Sequence, residues 1–183
     1  MVLSSRKIFA FAIIGGLLCA MSVYAYLVSL PPQRGPRVFV TSPPLEFIME
    51  LEKAEFQQGE NVTIRLSVKN VGNKTIMLTW SDFNLYYDAV MYFDFYITDA
   101  NDTLIYEWYR RHGALQMLLE ETLNPNEELI SVYPWFQTTD YPVTQVPPGT
   151  YNIRGSTRQL ALTVDDQTSV ITLETPTIAI TIE

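Results

Sequence analysis

The chain has 183 residues, 48% hydrophobic and 13% aromatic, which is enough for a sizeable core and too apolar for a disordered segment. Twelve Lys and Arg against 20 Asp and Glu give a net charge of −8, which argues against nucleic acid, because phosphate binding needs clustered bases. One Cys and one His exclude an intrachain disulfide and a Cys/His zinc site.

The charge is unevenly spread. Arg6, Lys7, Arg34 and Arg37 precede Leu45 with no acid among them, and every acid lies beyond it. Arg6-Lys7 leads into an uncharged run, Ile8 to Leu30, of 23 residues. As a helix it would be about 34 Å long, enough to cross a hydrocarbon core of ~30 Å. A cleaved signal peptide is the rival reading, with Val23-Tyr24-Ala25 as the cleavage site. The uncleaved anchor is favoured because the apolar run continues through Tyr26-Leu27-Val28. Either way the basic pair stays in the cytoplasm and the C-terminal part of the chain is exported. Leu18 before Cys19 does not fit a lipoprotein site, so Cys19 is read as a small hydrophobe. Residues 31–44 carry five prolines and are expected to be an extended linker.

From Leu45 the apolar period is two. Val62, Ile64, Leu66 and Val68 alternate with Thr63, Arg65, Ser67 and Lys69, the pattern of a half-buried strand. Val71-Gly72-Asn73 is turn chemistry, and Ile76, Leu78 and Trp80 then point inward, so a hairpin is predicted. Met91 to Thr98 alternates again, with Met91, Phe93, Phe95 and Ile97 inward and Tyr92, Asp94 and Tyr96 outward. Asp99 to Asp102 turns the chain into Thr103 to Arg110, with Leu104, Tyr106 and Trp108 on one face. Further strands are expected at Leu45 to Phe56, Leu129 to Trp135, Thr150 to Arg154, Leu160 to Val164 and Thr177 to Ile182. Arg111 to Glu121 is the one segment after the anchor that could be helical. Seven or more turn-bounded strands indicate a β-sandwich.

Four stretches carry a resemblance: GENVTIRLSVKNVGNKTIMLTW from Gly59, FDFYITDANDTLIYEW from Phe93, TLNPNEEL from Thr122 and PPGTYNIRG from Pro147. In this order they resemble the BsuPI-type intracellular proteinase inhibitor family over Gln58 to Arg158. Ser81 to Val90 is longer than the family's segment, and Asn126 stands where Gly is usual after Pro125. The resemblance implies an immunoglobulin-like antiparallel β-sandwich and a protein partner, a protease.

An inhibitor needs a segment that is rigid and exposed together. Tyr141, Pro142, Val143, Thr144, Gln145 and Val146, followed by Pro147-Pro148, are the candidate partner-contact loop, because prolines lower the ordering cost of binding. The Arg110-Arg111-His112 turn is next in line. A proline-rich crossover between sheets is the plain alternative for the loop. Asn61, Asn73 and Asn101 sit in Asn-x-Thr sequons and are candidate glycosylation acceptors. The inward aromatics are assigned to the core, whereas Tyr92, Tyr96 and Tyr109 are candidate contact residues. Glu50, Glu52, Glu55 and the Asp pairs lack calcium-loop spacing and are read as acidic surface. His112 stands alone, and no phosphate loop or nucleophile elbow is present, so no catalytic, metal or cofactor-binding residue is assigned.

The chain is thus expected to hold an anchor or signal at 1–30, a linker at 31–44 and a β-sandwich at 45–183. Its partners are the membrane, through residues 8–30, and a protein. The alternative function is a structural or adhesive module of the cell envelope.

Overall fold

The computed structural model describes residues 35–81, 84–86, 89–112 and 118–183. The expected anchor, its cleavage site, Cys19 and the first four linker positions lie outside these residues. Among the described residues no helix is long and apolar enough to cross a membrane.

In chain order the strands are β1 (Arg37–Ser42), β2 (Leu45–Leu51), β3 (Glu55–Phe56), β4 (Val62–Asn70), β5 (Ile76–Trp80), β6 (Asn84–Tyr86), β7 (Ala89–Met91), β8 (Asp94–Asp99) and β9 (Leu104–Glu107). A helical turn, α1 (Trp108–His112), precedes β10 (Leu119–Leu123), β11 (Glu128–Trp135), β12 (Gly149–Ser156), β13 (Leu160–Val164), β14 (Gln167–Ile171) and β15 (Ile178–Ile182). They form sheets of order β1-β2-β4-β11, β3-β15-β12-β8-β9 and β10-β5-β13-β14, with β6-β7 as a separate ribbon. Among the described residues all strand pairings are antiparallel but one: the two-residue β3 runs parallel to β15.

Alternation decides the core. Val62, Ile64, Leu66 and Val68 are fully buried on β4, while Thr63, Arg65 and Lys69 are half-exposed. Phe47 and Met49 on β2 join them from one layer, and Phe95, Ile97 and Ile153 from the other. The layers approach closely at Gly155, where a Cβ would lie 2.5 Å from Leu66 Cδ2 and 3.4 Å from the Phe47 ring. Any larger residue there would force the Leu66 side chain to shift within the packed core. Phe95 meets Tyr133 edge-on, with ring centroids 5.5 Å apart.

The predicted hairpin after β4 does not form. β4 lies between β2 and β11, whereas β5 pairs with β10 and β13 in another sheet. Its partner makes the same switch, because β10 and β11 are consecutive in sequence. The two together form one long antiparallel ribbon bent at a corner. Asn70, fully buried, holds that corner. Its Nδ2 donates to the carbonyls of Lys74 (2.8 Å) and Leu123 (3.0 Å), and its Oδ1 accepts from Gly72 N–H (2.9 Å). A turn residue satisfied by both chains cannot also close a tight hairpin.

Four further expectations change. Residues 37–42, expected in the linker, form β1, which pairs along its length with β2. Leu45 to Phe56 divides into β2 and β3 at residues 52–54. The helical candidate Arg111 to Glu121 is a strand from Leu119, and the helical turn lies earlier, at α1. A bulge between Ile97 and Thr98 shifts the register of β9, so Leu104 pairs with outward Thr98 and is 44% exposed rather than inward with Tyr106. The strands expected near Leu129, Thr150, Leu160 and Thr177 form as β11, β12, β13 and β15.

Candidate functional site

The loop from β11 to β12 is fixed at its base and open at its tip. β11 ends at Trp135, whose indole N–H donates to the carbonyl of Thr138 at 3.0 Å. Gln137 then turns into the left-handed region (φ 54°) and is completely buried. Its Oε1 accepts from Gly59 N–H (2.7 Å) and its Nε2 donates to the Gln57 carbonyl (2.9 Å). Val146 N–H closes back on the Gln137 carbonyl (2.8 Å), and the Val146 carbonyl accepts from Gln58 Nε2 (3.0 Å). Both ends of the segment are therefore stapled to the turn that comes after β3.

The interior is held by Thr139. Its N–H donates to the Thr144 carbonyl (2.9 Å), and its hydroxyl accepts from Thr144 N–H (3.1 Å) and donates to the Pro142 carbonyl. Between these bonds the Tyr141–Pro142 peptide is cis. Tyr141 is 75% and Val143 52% exposed, and Pro142, Thr144 and Gln145 are exposed as well. The sixth expected contact, Val146, is 1% exposed and belongs to the core. It is the anchor on which the tip stands, since an apolar residue flanked by Pro147 finds its burial against the sheets instead of in solvent.

The second candidate segment joins the first. Arg111 donates to the carbonyls of Thr139 (3.4 Å) and Asp140 (3.1 Å). Asp140 N–H donates to the Ile105 carbonyl (3.1 Å), and Asp140 Oδ2 accepts from Glu107 N–H (3.1 Å). The Asp140 residue is 7% exposed and its Oδ1 has no hydrogen-bond partner. Leu104, Ile105, Arg110, Thr139, Asp140 and Tyr141 line a cavity of about 210 Å³ beside the tip. His112 does not reach it; its ring stacks on Trp108 at 3.8 Å, and burial lowers its pKa from the ordinary value.

The three outward tyrosines are not brought together with the loop. Tyr92 packs on Trp80 (5.1 Å) and donates to Glu121 (2.6 Å). Tyr96 donates to Glu174 (3.1 Å) and accepts from Arg154 (3.3 Å). The Arg158 guanidinium covers the Tyr109 ring at 3.3 Å. Asp94, expected outward, is 4% exposed. Its Oδ1 accepts from Phe95 N–H (2.8 Å) and Tyr109 N–H (3.0 Å), and Oδ2 lies 3.6 Å from Arg158. Burial nevertheless pushes its carboxyl up to about 7, against the two amides and Arg158, which favour the ionised form. Asn61, Asn73 and Asn101 are exposed.

Sequence reasoning missed Gln137 and Asp140. Gln137 bonds to partners 78 and 80 residues away, so no local pattern marks it. Asp140 carried a weak signal, an acid just before Tyr-Pro, but its partners on β9 and α1 were hidden by the bulge.

The loop is thus tied down at its base and exposed at its tip on an all-β scaffold. The chain belongs to the BsuPI family, described as intracellular proteinase inhibitor, whose model matches residues 49–161. No curated protein sequence matches the chain. Solved structures with similar arrangements include the CARDB domain of a Pyrococcus furiosus protein, at 15% identity and TM-score 0.37, covering 85% of this chain and 94% of that one. The C-terminal domain of wzt matches at 7% identity and TM-score 0.40, covering 85% and 83%. A β-glucosidase from Erythrobacter marinus matches at 14% identity and TM-score 0.40 over 76% of this chain, which spans only 15% of the glucosidase. Likenesses this distant carry nothing about activity.

Proposed function

We propose that the chain is an exported, membrane-anchored proteinase-inhibitor module, an immunoglobulin-like sandwich that meets its protease through Tyr141 to Gln145. The observation that carries the reading is the combination of exposure and constraint in one segment: Tyr141 is 75% exposed while Gln137, which ties the loop to the β3–β4 turn, is 0% exposed. Such a loop has already lost most of the freedom that binding would otherwise take from it. Export is supported by Arg6-Lys7 ahead of the 23-residue apolar run and by the exposed sequons.

The purified full chain is titrated against a panel of serine proteases, beside a variant with Val143 to Gln145 replaced by Gly and Ser. Inhibition by the parent and at least about tenfold weaker inhibition by the variant is the expected result. Equal inhibition by both moves the site elsewhere, and none at all removes the inhibitor reading for those proteases. Protease added to intact cells should digest the β domain and leave the N-terminus protected; protection of the domain would refute export.

A further inference from the structure

We infer that Tyr141 is the side chain that enters the partner, and that the partner is an endopeptidase whose primary pocket is an apolar slot for an aromatic ring. The inference rests on the inhibitor reading above and fixes the chemistry of the partner's pocket. Among the large apolar side chains described, none is more exposed than Tyr141, at 75%. An aromatic ring standing in water at the tip of a loop offers a partner a large single burial.

The backbone on both sides of the ring is already fixed. Asp140 N–H is bonded to Ile105, the Asp140 carbonyl accepts from Arg111, and the Pro142 carbonyl accepts from the Thr139 hydroxyl. Docking therefore costs little beyond two side-chain torsions. A neutral ring does not suit a pocket floored by a carboxylate, and it is too large for a shallow one. The bond after Tyr141 ends on the Pro142 nitrogen, which has no N–H and carries a ring where the leaving amine must be protonated. A protease that accepts Tyr141 thus meets a bond it cuts poorly, which is what separates an inhibitor from a substrate. Beside the ring, Leu104, Ile105 and Arg110 line the 210 Å³ cavity with Tyr141 itself.

The full chain, purified in detergent, is titrated against chymotrypsin, trypsin and elastase, which share one mechanism and differ in the primary pocket: apolar slot, acidic floor and small slot. Chymotrypsin should be inhibited in preference. Tyr141→Phe should retain inhibition, Tyr141→Ala should weaken it by about 100-fold or more, and Tyr141→Lys should transfer it to trypsin. Because the side chain is exposed, these variants leave the core untouched, which circular dichroism checks. Pro142→Ala should be cut slowly after Tyr141, visible by mass as two fragments. Preference for trypsin or elastase, equal inhibition by parent and Tyr141→Ala, or an uncut Pro142→Ala each overturns the inference. Inhibition lost on replacing Val143 to Gln145 but kept in Tyr141→Ala overturns it while leaving the inhibitor reading standing. No inhibition of any of the three removes both.

Discussion

Replacing Gln137 with Ala should loosen the loop and destabilise the domain together. The substitution removes the bond accepted from Gly59 N–H (2.7 Å) and the bond donated to the Gln57 carbonyl (2.9 Å). Each neutral hydrogen bond nets about 1 kcal/mol. The side chain is fully buried, so deleting its outer atoms also leaves a cavity costing about 1 kcal/mol. The expected loss is about 3 kcal/mol, a large share of a typical domain's ~5–15 kcal/mol, yet short of unfolding. Gln58→Ala is the control: it removes only the bond to the Val146 carbonyl from an exposed residue and should cost no more than about 1 kcal/mol. Urea unfolding of Gly35–Glu183, monitored by tryptophan fluorescence, should show the Gln137→Ala midpoint falling by roughly 1–2 M for a slope of ~2 kcal/mol/M. Amide exchange at Gly59 and Val146 should quicken while β12 keeps its protection. A midpoint shift no larger than that of Gln58→Ala would refute the claim that this amide staples the loop.

Two other expectations arise from the same packing. Leu66→Asp places an unpaired charge in a fully buried site and should cost more than about 4 kcal/mol, abolishing the cooperative melt; Arg65→Asp, on the opposite face and 38% exposed among Glu50 and Glu128, should stay within about 1 kcal/mol, and equal effects would mean the faces are misassigned. Asp94 titrates near 7 when folded but near its ordinary ~3.9 when unfolded, so the folded state holds a proton that the unfolded state has released between those values. Its stabilising contribution is fully present below about pH 4 and is lost as pH rises through about 7, on the order of a few kcal/mol; thermal melts of Asp94→Asn across this range should lose that slope, and an unchanged slope would assign it to another group.

Much of the core was legible in the sequence because alternation is a property of one strand. A side chain on β4 faces the opposite way from its neighbours whatever β4 pairs with, so Val62, Ile64, Leu66 and Val68 were assigned correctly without a partner. The exposure of Tyr141 to Gln145 was legible for a similar reason, since prolines limit that stretch to a single bridge, Thr138 with Gln145, and keep it out of the long strands. Strand partners were not legible. The turn chemistry at Val71-Gly72-Asn73 suits a hairpin, but Asn70 spends its amide on Lys74 and on Leu123, 53 residues away, and the chain crosses to another sheet. β1 was hidden because the prolines flanking it, Pro36, Pro43 and Pro44, mark a linker locally, while its six register pairs with β2 exist only once β2 is in place.

The polar residues show the same division. Sequence placed Asp94 outward by alternation, and the strand does turn it away from the core; tertiary packing of α1 and Arg158 then covers it and raises its carboxyl to about 7. Gln137 and Val146 look like ordinary loop residues until the β3–β4 turn closes over them. Side-chain direction is set by chirality and the pleat, which each residue carries with it. Burial of a polar group and choice of partner depend on chain segments far away in sequence, whose arrival is settled by the summed packing of both layers. The sequence by itself therefore determined which faces are apolar and which tip is exposed, and only the tertiary structure decided that Gln137 ties the base of that tip to the β3–β4 turn.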